Sequence, residues 1–544
     1  MSSRTIRSRA ALVFFVGIGC YAILLCNLFV IQILNSSFFS SLGSHQYRLT
    51  ITQLPDRGPI LDRTGTDYLA TNRSCISAFI IPKQMHNPEA MYTFLQEQFP
   101  DACKRLNNHK QSSFMYIKRR LTEQELQAIK AIHSSDIHLL EESSRFYPLP
   151  SAAPLIGFTD IDNVGRAGIE QTCNELLTGT PMKMLLEKDA RSGYFYFHKE
   201  LQEAGTQSVP IQLTIDSTLQ FLMDEELAAA CKRYCAKEAS ALIINPDNGD
   251  ILALSSYPYT NPDDPQFDFY YTKQRAVTEQ YELGSVLKVF AALAALEQKI
   301  VTPDEPINCK NSTRCVIDGR PITTWTAHGI LPFSDVIAFS NNIGIAQVAK
   351  RLGPDIVTHY ERLGFGKKVG IPLPAEAPGF INPPSKWSAQ SIISLSYGYE
   401  ISASLLQLAQ AFSLIAHDGS FVCPRLLLTD PIRISEQPLY SQESIASIKD
   451  ILRKTTEHGT GKRAKLAGFD VMSKTGSANT LVNGAYDHDK NIYTAAAIIE
   501  KGSYKRVIVT CIKESNVENA FASTIAMPVL RRIAEKMVIH ERAL

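Results

Sequence analysis

At 544 residues, with 45% hydrophobic and 20% charged side chains, the chain is globular in composition and too long for a single hydrophobic core, so two or more folded units are expected. A formal net charge of +1 without basic clustering excludes a nucleic-acid partner as a working idea. Eleven cysteines without a repeated Cys-x-x-Cys spacing argue against structural zinc.

Arg4, Arg7 and Arg9 precede Ala11 to Leu34, a span whose only ionisable side chains are Cys and Tyr. At 1.5 Å per residue it reaches about 36 Å, enough to cross a hydrocarbon core. A cleaved signal peptide is the competing reading, but its apolar run would be shorter and Asn-Ser-Ser-Phe-Phe is no small-x-small cleavage site. The span therefore reads as an uncleaved single-pass anchor. Arg48 is the only Lys or Arg between 35 and 54, so residues 1–10 are expected in the cytoplasm and everything after the anchor outside it.

Residues 35–205 mix short apolar runs with turn residues and read as an elongated mixed α/β region ending in the charged stretch 188–194. Within it Arg57 to Gly65 reads as a salt-bridged turn without chemistry. A second regime, 206–544, opens with a strand at Ile211–Ile215 and a helix through Leu219–Tyr234 capped by Asp216 or Ser217. Ala239–Asn245 and Asp250–Ser255 flank Pro-Asp-Asn-Gly and predict a hairpin. Helices follow at 285–298, 341–352 and 404–416, and strands around 495–499 and 507–512, which together predict an antiparallel sheet with helices packed on it. Cys309 and Cys315 flank a polar loop and could pair outside the cytoplasm; Cys231 and Cys235 sit at i, i+4 on a helix. Free buried thiols are the equally good alternative for both pairs.

Three short motifs carry chemistry. Ser285 and Lys288 stand at i, i+3 in an apolar helix, where burial disfavours the ammonium and leaves an amine beside a hydroxyl, a base beside a nucleophile. Ser340-Asn341-Asn342 is a Ser-x-Asn, in which Ser340 alone reads as a helix N-cap. Lys474-Thr475-Gly476 followed by Ser477 reads by itself as a strand end entering a turn. The Gly-Thr-Gly-Lys at 459–462 lacks the other residues of a phosphate loop.

In that order, the three motifs resemble the signatures of the penicillin-recognising serine acyltransferases. The resemblance covers nearly the whole chain: Arg57–Gly65, Arg145–Pro148, Leu155–Gly157 and Gly165–Glu170 match elements of class B penicillin-binding proteins in order, and Phe365-Gly366, Gly398, Leu405–Gln410 and Gly459–Gly461 continue the match. It implies an α+β architecture of transmembrane helix, pedestal and a serine β-lactamase-like transpeptidase domain. It also implies a metal-free, cofactor-free peptidoglycan D,D-transpeptidase that β-lactams inhibit. Ser285 would be the nucleophile on a terminal D-Ala-D-Ala and Lys288 its proton acceptor. Ser340 would relay the proton to the leaving D-alanine, and Asn342 would hold the substrate amide. Lys474 would supply positive potential, Thr475 and Ser477 beside Gly476 would bind the terminal carboxylate, and the N–H groups of Ser285 and Ser477 would form the oxyanion hole.

The expected partners are stem peptides, lipid-linked precursor strands, other membrane-bound cell-wall synthesis proteins and a SEDS-type glycan polymerase. The expected location is the cytoplasmic (inner) membrane with the catalytic domain on the periplasmic or extracellular side. A septal role is preferred to side-wall elongation. Leu283, Ser473 and Ile401–Ser404 depart from the family pattern, and Ser473 either narrows the substrate edge or points away from it. A serine β-lactamase would be about half as long, a β-lactam sensor would carry His-Glu-x-x-His, and a non-catalytic scaffold has no reason to keep Ser285, Lys288, Ser340, Asn342 and Lys474 intact.

Overall fold

The computed structural model describes residues 3–543 apart from 54, 189–194, 263, 265–266, 483–484 and 519; most of the expected charged stretch 188–194 thus lies outside the described residues. By its contacts the chain divides into two compact units, one of residues 1–56 and 178–208 and one of 57–177 and 209–544.

In the first unit a helix runs over Ser3–Phe29 and continues as a wider turn through Val30–Leu34. Its stretch Arg7–Leu34 contains an 18-residue window with a mean hydropathy of 2.4 and is long and apolar enough to cross a membrane, the one such helix among the described residues. The side chains of Arg4 and Arg48, on which the expected orientation rested, lie outside the described residues. The unit also holds a three-stranded antiparallel sheet of Arg48–Gln53, Met182–Lys188 and Phe195–Glu203.

In the second unit Tyr68–Ile80 pairs with both Met115–Lys118 and Ile137–Phe146, while Ile60–Leu61 runs parallel to Ile211–Gln212. The stretch read as a turn without chemistry has a structural task here. Arg57 is buried, and its Nε donates to Glu170 Oε2 at 2.6 Å while Arg145 Nε donates to Glu170 Oε1 at 2.6 Å. One carboxylate thus ties three distant segments together, and removing it would strand two buried guanidinium groups.

The remainder is built on α1 (Ser217–Tyr234), β1 (Ala236–Ile244), β2 (Ile251–Tyr257), α2 (Lys288–Glu297), α3 (Phe333–Ala338), α4 (Asn342–Leu352), α5 (Leu405–Ala416), α6 (Gln442–Glu457), β3 (Asp470–Val482), β4 (Ala485–Lys501), β5 (Tyr504–Ser515) and α7 (Ala526–Ala543). The sheet order is β2-β1-β5-β4-β3, antiparallel throughout. Both faces are covered, which is why Ala495–Ile499 is apolar without alternation. Ala495, Ala497 and Ile499 pack with α1 and α7, whereas Ala496 and Ile498 belong to the core shared with α2 and α5. Asp216 caps α1 by accepting from Leu219 N, and Ser404 with Gln407 closes a capping box on α5. The expected hairpin and the helices at 285–298, 341–352 and 404–416 all form. Cys309, Cys315, Cys231 and Cys235 are all free thiols.

Candidate active site

Gly284–Leu287 forms a 3-10 turn that runs into α2. Three residues per turn eclipse positions i and i+3, so Ser285 and Lys288 stand one above the other with Oγ and Nζ 3.0 Å apart. Every residue of α2 from Lys288 to Leu296 is buried. Lys288, at 0% exposure, therefore finds its partners inside the protein. Its Nζ donates to Ser340 O at 2.7 Å and Asn342 Oδ1 at 2.5 Å, and it lies 3.1 Å from Ser340 Oγ.

Two of these neighbours, the carbonyl oxygens, only accept. They consume two N–H bonds and leave the fourth tetrahedral position of Nζ facing hydroxyls, which both donate and accept. The arrangement fits a neutral amine. Burial, reinforced by the charge of Lys474, holds the Lys288 pKa well below the ordinary lysine value.

Ser340 is not the cap of α4. Asn341 is, its Oδ1 accepting from Gly344 N at 2.9 Å. Ser340 instead adopts a left-handed backbone, φ 58°, a conformation costing of order 1–3 kcal/mol in a non-glycine residue. From there it offers both its carbonyl and its hydroxyl to the lysines. Asn342 is fixed at its other end, Nδ2 donating to Thr323 O at 2.7 Å.

Lys474 corrects a second expectation, for it lies well inside β3, opposite Ala496, rather than at a strand end. Its Nζ donates to Ser340 Oγ at 3.0 Å and to Thr475 O at 3.0 Å. Burial alone lowers its pKa to about 7. Gly476 marks a close approach rather than a turn: a Cβ there would stand 2.2 Å from Leu283 O. Gly398 meets the same turn from the other side. With φ +88° it would put a Cβ 2.1 Å from Gly284 O.

Thr475 Oγ1 donates to Thr460 Oγ1 at 3.1 Å, and Ser477 Oγ accepts from Ala522 N at 3.1 Å, leaving its own O–H to donate. Ser473 points away from the cleft. It is fully buried and its Oγ lies 2.8 Å from Thr456 Oγ1 on α6.

Ser285, Asn342 and Ser477 line a cleft of about 860 Å³, so the structure brings all three motifs to one place. The cleft also has walls that sequence reasoning missed: Thr323, Trp325, Tyr397, Tyr399, Tyr493 and Phe521. Trp325 is 78% exposed and meets the Phe521 ring edge-on at 4.5 Å across the mouth. As one of two tryptophans in the chain, set in a polar loop, it carried the one available signal.

Comparison with known proteins accords with this geometry. Residues 239–535 match the penicillin-binding protein transpeptidase domain, and residues 52–207 the penicillin-binding protein dimerisation domain. The chain is 27% identical over 556 residues to stage V sporulation protein D of Bacillus subtilis, covering 98% of this chain and 86% of that protein. It is 25% identical over 495 residues to the peptidoglycan D,D-transpeptidase FtsI of Escherichia coli, covering 88% and 82%. Among solved structures, penicillin-binding protein 3 of Mycobacterium tuberculosis superposes with a TM-score of 0.66 at 22% identity, covering 90% of this chain and 97% of that one. The chain belongs to the penicillin-binding protein transpeptidases. Within them it is a class B member of the FtsI-like type, a dimerisation domain preceding the transpeptidase domain.

Proposed function

We propose that this protein cross-links peptidoglycan as a serine D,D-transpeptidase and that β-lactams acylate the same serine. The observation that carries the reading is the coordination of Lys288, two obligate acceptors on its N–H bonds and Ser285 Oγ at 3.0 Å.

In the first half-reaction the Lys288 amine takes the Ser285 proton as Oγ attacks the carbonyl carbon of the penultimate D-alanine. N–H groups of Ser285 and Ser477 would receive the oxyanion. Collapse breaks the amide C–N bond. The proton passes from Lys288 through the Ser340 hydroxyl, 3.1 Å away, to the departing D-alanine nitrogen. In the second half the amine of a neighbouring stem peptide attacks the ester, and the proton returns along the same path until Ser285 is restored. Thr475 and Ser477 hold the terminal carboxylate beside Gly476, Lys474 adds positive potential from behind them, and Asn342 orients the substrate amide.

The proposed boundaries are a cytoplasmic tail at 1–10, an anchor at 11–34, a pedestal at 35–205 and the transpeptidase domain at 206–544. The helix through Leu34 supports a single-pass anchor in the cytoplasmic membrane; with the N-terminus inside, the cleft faces the periplasm or exterior. The name FtsI among the relatives supports septal rather than side-wall synthesis. Within this reading glycan polymerisation falls to a SEDS-family partner, alongside other membrane-bound cell-wall proteins and lipid-linked strands.

The test is labelling of the full chain by a fluorescent penicillin. A stable adduct at Ser285, absent in Ser285→Ala, is expected, together with release of D-alanine from an acyl-D-Ala-D-Ala peptide. An adduct that hydrolyses within seconds would replace this reading with a β-lactamase, and no adduct at all would leave a scaffold.

A further inference from the structure

The segment 323–328 touches every residue of the run Phe339-Ser340-Asn341-Asn342 except Ser340. Thr323 O accepts from Asn342 Nδ2 at 2.7 Å. The His328 ring stacks on Phe339 at 5.2 Å with an interplanar angle of 17°, and His328 Nδ1 lies 3.3 Å from Asn341 Nδ2. Ser340 alone is left to Lys288 and Lys474. The run that supplies Ser340 to both lysines is thus held by this loop at its three other residues.

The hydrogen-bond directions in this strap are determined. Asn341 is fully buried, and its Oδ1 accepts from Gly344 N. Its Nδ2 must then donate, so His328 Nδ1 carries the lone pair and the proton sits on Nε2. A doubly protonated ring breaks the contact, because Nδ1–H would face Nδ2–H. Flipping the Asn341 amide only moves the clash to Gly344 N–H. The geometry points to His328 as a positioning residue for acyl transfer: its Nδ1 holds Asn341 and its ring holds Phe339, and so the left-handed Ser340, against Lys288. This rests on the acyl-transfer reading above.

Other titratable groups adjoin the strap. His458, beyond α6, has its ring 6.1 Å from Phe339 and its Nε2 3.7 Å from Asp335 Oδ1 on α3. Lys288 and Lys474 lie beyond Ser340. From the other side Asn311 N donates to His328 O without involving the ring. A variant altered only at His328 keeps all of these and so isolates the imidazole.

The experiment measures stopped-flow acylation of the full-length protein in detergent by a fluorescent penicillin, wild type against variants at position 328. In His328→Asn the Oδ1 takes the place of Nδ1 as acceptor; in His328→Leu nothing accepts from Asn341. We expect His328→Asn within about threefold of wild type and His328→Leu slower by about tenfold or more, with initial penicillin affinity unchanged in both. Wild-type rates in His328→Leu would overturn the assignment, as would a loss in His328→Asn as large as that in His328→Leu. Should His328→Leu fail to fold, His328→Phe, which keeps the ring on Phe339 and removes the acceptor, decides in its place. A wild-type chain that takes no adduct overturns the functional reading and this one with it, whereas normal acylation insensitive to position 328 overturns this one only.

Discussion

Lys288 and Lys474 share one hydroxyl, their Nζ atoms lying 3.1 and 3.0 Å from Ser340 Oγ. Two buried ammonium groups this close are mutually unfavourable, so the site favours one charge distributed over a lysine–serine–lysine chain. Such a chain passes a proton with little movement of heavy atoms.

Lys474→Met should separate stability from function. With its pKa lowered to about 7 from an ordinary 10.5, Lys474 is protonated in both folded and unfolded chains below pH 7, and the full cost of a buried cation is then present. Between 7 and 10.5 the unfolded chain keeps the proton that the folded one has released, so stability rises with pH. The variant should therefore unfold at a higher temperature than wild type, most clearly near and below neutral pH, with the advantage shrinking in alkali. Its penicillin affinity should fall. Calorimetry across pH and labelling titrations read the two effects.

Asn342→Asp should shift the pH profile upward. A carboxylate would replace an amide oxygen 2.5 Å from Lys288 Nζ and favour the ammonium, raising the pKa of the base. Acylation at neutral pH should drop by about two orders of magnitude, recovering in part as pH rises. A uniform loss at all pH values would contradict the neutral-amine mechanism.

Ser473→Gly should cost stability and leave the chemistry alone. The Ser473 hydroxyl meets Thr456 inside the protein at 2.8 Å, so losing it should destabilise by about 1–2 kcal/mol in a denaturant titration. Acylation should stay within about twofold of wild type.

Gly398→Ala should do both kinds of damage. Its Cβ would press on Gly284 O, and its backbone sits at φ +88°. A loss of about 2–4 kcal/mol is expected, with slower acylation because the displaced turn carries Ser285. Chemical unfolding and stopped-flow labelling check the pair.

The residues to which the proposed reaction assigns chemistry were the ones the sequence singled out. Ser285, Lys288, Asn342 and Lys474 stand out through the order and spacing of their motifs, and the hairpin and the helix at 404–416 because their signals are local. Ser340 was misread as a cap because Ser-Asn-Asn offers adjacent capping side chains, and the choice of Asn341 depends on lysines far away in sequence. Lys474-Thr475-Gly476 was misread because glycine suggests a turn locally, whereas here it admits the Leu283 carbonyl. Trp325 and His328 sit in a loop without periodicity, and their partners Phe521 and Phe339 are visible only once the chain has folded.

Two partners of Lys288 come from 52 and 54 residues downstream, and Lys288 meets Lys474 through Ser340, 134 residues before Lys474. No contiguous fragment of modest length therefore contains a reactive serine. Nascent or partly denatured chains should be invisible to penicillin, which makes the drug a counting reagent for molecules that have completed folding.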